Sequence, residues 1–164
     1  RQVFVCSSMQ LQIVNADYSH SKAIWEWRND PVTRSMFKSQ DFVLWEDHSS
    51  WYQKSLINPE RIMYVGLNGQ LPFGIVRFDS IYTLENSFEI SININPLDRG
   101  KGLGLKILKL ALSKLKQERP SVHKIIAKVK KENPASKRLF KAADFVAQQS
   151  NESEFNSYFF VYNS

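Results

Sequence analysis

The sequence predicts a mixed α/β domain, and three observations predict it. Two apolar runs in "RIMYVGLNGQLPFGIVRFDS" (61–80) meet at Asn68-Gly69, a dipeptide that favours the tight turn of a β-hairpin. "NSFEISININ" (86–95) alternates, with Phe88, Ile90, Ile92 and Ile94 on one face and Glu89, Ser91, Asn93 and Asn95 on the other. Directly behind it a glycine-rich turn opens an amphipathic helix over 103–117, which ends before Pro120 and leads into another apolar strand. Hairpin-linked strands followed by a helical crossover make a mixed, mostly antiparallel sheet.

The elements follow in order. "MQLQIVNA" (9–16) alternates and reads as a strand. "DYSHSKAIWEWRND" (17–30) reads as a helix capped by Asp17 or Ser19, with Ala23, Ile24 and Trp27 on one face; Pro31 ends it or begins the next turn. "VLWEDHSSWYQKSLIN" (43–58) reads as a second helix, because Leu44, Trp45, His48, Trp51, Tyr52 and Leu56 fall near helical spacing. After the hairpin, the alternating strand and the long helix, "VHKIIAKVK" (122–130) is a strand and "NPASKRLFKAA" (133–143) a short helix. "DFVAQQSNESEFNSYFFVYN" closes the chain as a pair of strands. The sum is a sheet of about six or seven strands flanked by about four helices. No repeat, low-complexity run or linker interrupts it, so 9–164 is expected to be one domain, with 1–8 an N-terminal extension or tag.

Bulk properties narrow the function. A chain of 164 residues, 43% apolar and 23% charged, suits one globular domain with a proper core. No run approaches the roughly eighteen apolar residues of a membrane span, and the first residues lack the apolar core of a secretory signal. The single cysteine, Cys6, excludes an internal disulfide framework and fits a reducing compartment. A cytoplasmic protein is expected, monomeric or homodimeric, with no metal and no membrane partner. The charge is uneven: residues 99–141 hold fourteen Lys or Arg against Glu118 and Glu132, a balance of +12, while the remainder carries −6. One face should therefore attract an anion. Aromatic residues are not interleaved with these cations as a nucleic-acid stacking platform requires, so no nucleic acid is expected.

The glycine turn, "DRGKGLG" (98–104), fails the two best-known phosphate motifs. A P-loop needs Ser or Thr after Gly-Lys, but Gly102 follows Lys101; a dinucleotide fingerprint from Gly100 needs glycine at 105, which is Leu. What remains is Arg99-Gly100-Lys101-Gly102-Leu103-Gly104 at a helix N-terminus. Unpaired amides and a partial positive charge there suit a pyrophosphate, and Arg99 and Lys101 add full charge. From these residues alone, the turn is either such a cradle or a plain strand-to-helix connection.

Arg-x-x-Gly-x-Gly at Arg99, Gly102 and Gly104 resembles the acetyl-CoA signature of the GNAT superfamily of N-acetyltransferases. About thirty residues on, "ENPASKRLFKAADF" resembles that superfamily's second signature, with Asn133, Ser136, Leu139 and Phe140 in the matching places. The element order agrees from residue 9 to 163. The resemblance implies a sheet whose fourth and fifth strands splay apart to admit the pantetheine arm. It further implies that the backbone at Ile92, Asn93 and Ile94 holds pantetheine and that the amides from Lys101 to Gly104 hold the pyrophosphate. Asn133 and Ser136 would touch the donor's arm, with Lys137 and Arg138 meeting phosphates.

The implied reaction is direct attack of a neutral amine on the thioester, which needs a proton acceptor and donors for the oxyanion. Glu89 stands where some members of the superfamily carry their base; it can equally bind the amine or pair with a lysine. Many members carry a tyrosine that protonates the departing thiolate, and Phe140 occupies its place here. The general acid is then Ser136, Tyr158, a water or none. "IWEWRNDPVTRSMF" and "WEDHSSWYQKSL" resemble a branch containing ribosomal-protein N-terminal acetyltransferases and amino-sugar N-acetyltransferases of nonulosonic-acid pathways. That resemblance implies an acceptor cleft bordered by Arg28, Asn29, Arg34, His48 and Trp51. A nucleotide-linked amino sugar is the leading acceptor, with Arg28 or Arg34 near a phosphate. A peptide α-amine, and a catalytically inactive CoA-sensing module, are the alternatives. Core packing for the tryptophans and a structural role for His48 remain the competing explanations.

Overall fold

The computed structural model describes residues 10–148 and 154–163. The expected extension at 1–8 and the stretch 149–153 of the last strand pair lie outside the described residues. The strands are β1 (Leu11–Asn15), β2 (Arg61–Asn68), β3 (Leu71–Ser80), β4 (Ser87–Ile94), β5 (Lys124–Lys130), β6 (Val146–Gln148) and β7 (Phe155–Val161). They form one sheet in the order β1-β2-β3-β4-β5-β7-β6, in which only the β4–β5 pair is parallel. The helices are α1 (Ser21–Arg28), α2 (Pro31–Met36), α3 (Trp45–Leu56), α4 (Leu103–Glu118) and α5 (Pro134–Ala142).

Alternation along the strands gives the sheet two apolar faces. Tyr64, Val76, Phe78 and Ile90 pack against Ile107, Leu108, Ala111 and Leu115 of α4 and Phe140 of α5. Met63, Val65 and Ile75 point the other way, against Ile24 and Trp27 of α1 and Tyr52 of α3. Gly66 and Gly74 face each other across β2 and β3. A β-carbon on Gly66 would come within 2.6 Å of the Ile107 side chain, and one on Gly74 within 3.2 Å of both Ile107 and the Asn93 carbonyl. This pair is the floor on which α4 sits.

Two helical expectations are corrected. The helix expected from 17 begins instead as a 3-10 turn over Tyr18–His20, and α1 starts at Ser21. Asp17 accepts the Ser19 amide at 2.9 Å and His20 Nδ1 accepts the Asp17 amide at 3.1 Å, a reciprocal cap that tightens the entry. There are also five α-helices among the described residues, not about four, because Pro31 opens α2. Asp30 caps that helix by accepting the Thr33 amide, and proline suits a first turn, whose N–H has no partner to lose.

The expected splay is present. β4 pairs with β5 only from Ser87–Lys124 to Ile90–Ala127, yet it continues against β3 to Ile94–Gly74. β5 meanwhile follows β7 to Lys130–Phe155. Residues 91–94 therefore turn an unpaired backbone edge toward the gap. No described helix is long and apolar enough to cross a membrane.

Candidate active site

The gap between β4 and β5 is a cleft of about 690 Å³. Glu89 to Ile92 form one wall and Lys128 to Lys130 the other. Ser136 and Phe140 of α5, with its N-cap Asn133, close one face, and Met36, the last residue of α2, with Phe37 and Lys38 just after it, close the opposite one. The passage thus runs through the sheet, from the α4–α5 side to the α1–α3 side.

The glycine turn leads into α4 near the end of β4. Gly100 and Gly102 have φ of +76° and +73°, the left-handed region that glycine enters without strain, and a β-carbon at either would meet nothing within 4 Å. Gly102 is the N-cap of α4 and provides no side-chain cap, so no side chain of that residue satisfies the first-turn amides. A β-carbon at Gly104 would lie 3.5 Å from Leu139 of α5 and 4.0 Å from Ile94 of β4.

The cations expected around this turn are partly engaged. Both terminal nitrogens of Arg99 reach Asp30 Oδ2, at 3.2 and 3.1 Å, and one also donates to Thr33 Oγ1. The Thr33 amide, then Arg99, hold the Asp30 carboxyl below the usual carboxylate range, against an opposing effect of burial. Lys101 Nζ donates to Asp98 at 3.1 Å, and Lys137 Nζ to the Lys131 carbonyl at 2.6 Å. Asn133 caps α5: its oxygen accepts the Ser136 amide at 3.1 Å and its nitrogen donates to Ser136 Oγ at 3.0 Å. Phe140 is buried, edge-on to Phe145 at 5.0 Å and near-parallel to Tyr158 at 6.5 Å.

Glu89 lies on the wall of the cleft, its side chain 43% exposed, 3.7 Å from Lys128 Nζ. Its cross-strand neighbour Asp79 is taken up by Arg61 at 2.5 Å and Arg77 at 3.0 Å. Glu89 has the looser partner and the more open position.

A second pocket, of about 330 Å³, brings Arg28, His48 and Trp51 together with Asn93 of β4. Phe37 lines this pocket and the cleft alike, so the two adjoin. Asn29 and Arg34 do not line it. Asn29 staples the loop before α3 by exchanging two hydrogen bonds with the Val43 backbone, and Arg34 stands over the Phe42 ring at 5.8 Å. Trp51 is flanked by the Arg61 and Arg77 guanidiniums at 5.2 and 5.4 Å.

His48 is buried and ties α3 to α1. Nε2 lies 3.0 Å from the Ser21 carbonyl, which can only accept, so Nε2 carries the hydrogen. Burial pushes its pKa below the ordinary value. As pH falls below about 6.5 the unfolded chain takes up this proton first, so this contribution to stability is complete above that pH and is lost below it. Urea unfolding between pH 5 and 7.5 should show stability falling toward acid, with a shallower slope in His48→Gln; equal slopes would remove His48 as the cause.

The acetyltransferase (GNAT) domain family matches residues 10–146. The chain belongs to that family. A search of curated proteins finds no match. Among solved structures, spermidine N-acetyltransferase from Vibrio cholerae, in complex with CoA and spermine, is 20% identical and superposes with a TM-score of 0.80, covering 93% of this chain and 95% of that one. A domain from Methanocaldococcus jannaschii is 22% identical, with a TM-score of 0.79 over 93% of this chain and 99% of that one. The ribosomal L7/L12 α-N-protein acetyltransferase RimL, in complex with coenzyme A, is 15% identical, with a TM-score of 0.79 over 92% and 93%. At these identities the likeness is one of fold.

For a GNAT N-acetyltransferase the donor is acetyl-CoA, and the residues present fit it. Open space stands before Gly100 and Gly102, α4 lacks a side-chain cap, and β4 has an unpaired edge beside the cleft. Among the described residues no group of His, Cys, Asp or Glu is placed to hold a metal ion. Sequence reasoning missed the pairing of Asp30 with Arg99, and Phe37, Lys38, Lys128 and Glu154. Only Lys128 had a signal, the alternation of β5 that puts it on the face of Glu89; the others come from a short helix and loops.

Proposed function

We propose that this acetyltransferase transfers the acetyl group of acetyl-CoA to the primary amine of a small, negatively charged acceptor, best suited by a nucleotide-linked amino sugar. One observation carries the acceptor class: Arg28 Nη1 and Arg34 Nε are buried without a hydrogen-bond partner. An unpaired buried donor costs roughly 1–3 kcal/mol, more when charged, which a phosphate or carboxylate would offset. Burial, followed by repulsion from Arg34 and Arg77, lowers the pKa of Arg28, so an anion beside it would relieve both effects. Arg28 also lines the pocket that holds Trp51 and Phe37, rings on which a sugar or base can pack.

Bound acetyl-CoA supplies an activated acetyl thioester. The chain's own residues supply the rest. Amides of the Gly100–Gly104 turn, including Leu103, hold the pyrophosphate, and the free edge at Ile92, Asn93 and Ile94 holds the pantetheine. Asn133, Ser136, Lys137 and Arg99 flank that path. Glu89 takes the amine proton, directly or through a water. Ser136 Oγ receives a hydrogen bond from Asn133 and keeps its own proton in the cleft, one turn before Phe140, which has none to give.

Thiol release across nucleotide-linked amino sugars, free amino sugars, peptides and spermidine tests this reading. The nucleotide-linked sugars should be the best acceptors, and Arg28→Ala should raise their KM about ten- to hundredfold, the range of a lost charged hydrogen bond. The KM of free amino sugars, which lack the phosphates, should not change. Preference for peptides would replace the reading with an N-terminal acetyltransferase. No release with any amine, while CoA still raises Tm, would leave a CoA-sensing module.

A further inference from the structure

The short helix α2 stands between the donor and acceptor halves of the site, and both its ends are fastened to the donor side. At its start, Asp30 Oδ2 accepts the Thr33 amide at 3.0 Å and receives Arg99 at 3.1 and 3.2 Å. Arg99 also donates to the Thr33 hydroxyl, so one guanidinium grips the cap and the first turn together. Arg99 immediately precedes the glycine turn, 69 residues away in sequence. At the other end, Lys130 Nζ donates to the Ser35 carbonyl at 3.0 Å, from the part of β5 that has left β4. Met36, Phe37 and Lys38 follow at once and wall the cleft. Arg28 covers the Phe37 ring at 3.9 Å.

Little else holds α2. It has six residues, of which Thr33 alone is buried, and a helix so short has no stability of its own. Its position is set by these cross-ties, and the strongest runs to the turn beside the donor.

We propose that Asp30 is a positioning residue for acetyl transfer: paired with Arg99, it makes the order of α2 and the Phe37 wall depend on occupancy of the donor cradle. A ligand that stiffens the Arg99–Gly104 turn then favours the ordered wall, and by linkage an ordered acceptor site favours the donor. The inference rests on the reading of that turn as the cradle.

The test is amide hydrogen exchange of residues 31–44 in the full chain, with and without saturating CoA. In the wild type, CoA should slow exchange over 31–38 by about five- to tenfold, a typical coupling. Asp30→Asn keeps a good N-cap but offers Arg99 no charge; it should lose this increment while CoA still raises Tm. Arg99→Gln, the second variant, should lose the same increment from the other side of the pair. A purely structural Asp30 would speed exchange alike with and without CoA and leave the increment intact, which overturns the proposal. So does a wild type in which CoA raises Tm without protecting 31–38. A wild type that CoA does not stabilise at all overturns the cradle reading, and this inference with it.

Discussion

Glu89→Gln is expected to lower kcat by about 10²–10⁴-fold, the range of a lost general base, with the CoA-induced rise in Tm unchanged. The argument is positional. Glu89 sits one residue before β4 parts from β5, on the face of the sheet that the acceptor pocket shares. Its oxygen is beyond hydrogen-bond distance of Lys128, whereas Asp79 beside it is committed to two arginines. The carboxylate is thus held near the cleft but not consumed by it. The acidic limb of kcat/KM should disappear in the variant, since that limb reports protonation of the base. An unchanged limb, or an unchanged kcat, would transfer the role to Glu154, the other carboxylate on the cleft wall.

Gly104→Trp should abolish CoA binding while the fold survives. An added β-carbon at 104 stands at ordinary contact distance from Leu139 and Ile94, so Gly104→Ala is accommodated and serves as the control. An indole there has no such room beside Leu139 and Ile94 and must displace the turn or its neighbours. Ligand at about a hundredfold its Kd stabilises by roughly 2.7 kcal/mol. In a domain of this size that is a rise in Tm of about 5–10 °C. The alanine variant should keep the rise and the tryptophan variant lose it. A tryptophan variant stabilised like the wild type would remove the turn as the cradle.

Most of the fold was legible because its signals are local. Asn68-Gly69 marks its hairpin, with Gly69 at φ +61°, and the alternation of 86–95 gives β4 its two faces. The donor side was legible for the same reason: Arg99 to Gly104 and Asn133 to Phe140 are contiguous motifs. The acceptor side was not. Asp30-Pro31 reads equally well as the end of one helix or the start of another, and Thr33 and Arg99 decide it from outside. Arg28, His48 and Trp51 line one pocket, yet nothing in the sequence says that Asn29 spends its side chain on Val43 or that Arg34 lies over Phe42. Such partners are separated in sequence and joined by loops without a period.

All four tryptophans lie between residues 25 and 51, and three of them, Trp25, Trp45 and Trp51, stand in a chain of ring contacts around His48. The donor elements β4, α4, β5 and α5 contain none. The molecule is therefore optically one-sided: its indole emission belongs wholly to the half built from α1 and α3, the half proposed to receive the amine. A change in indole emission when one substrate alone is added reports on that half, including any movement of it caused by the other.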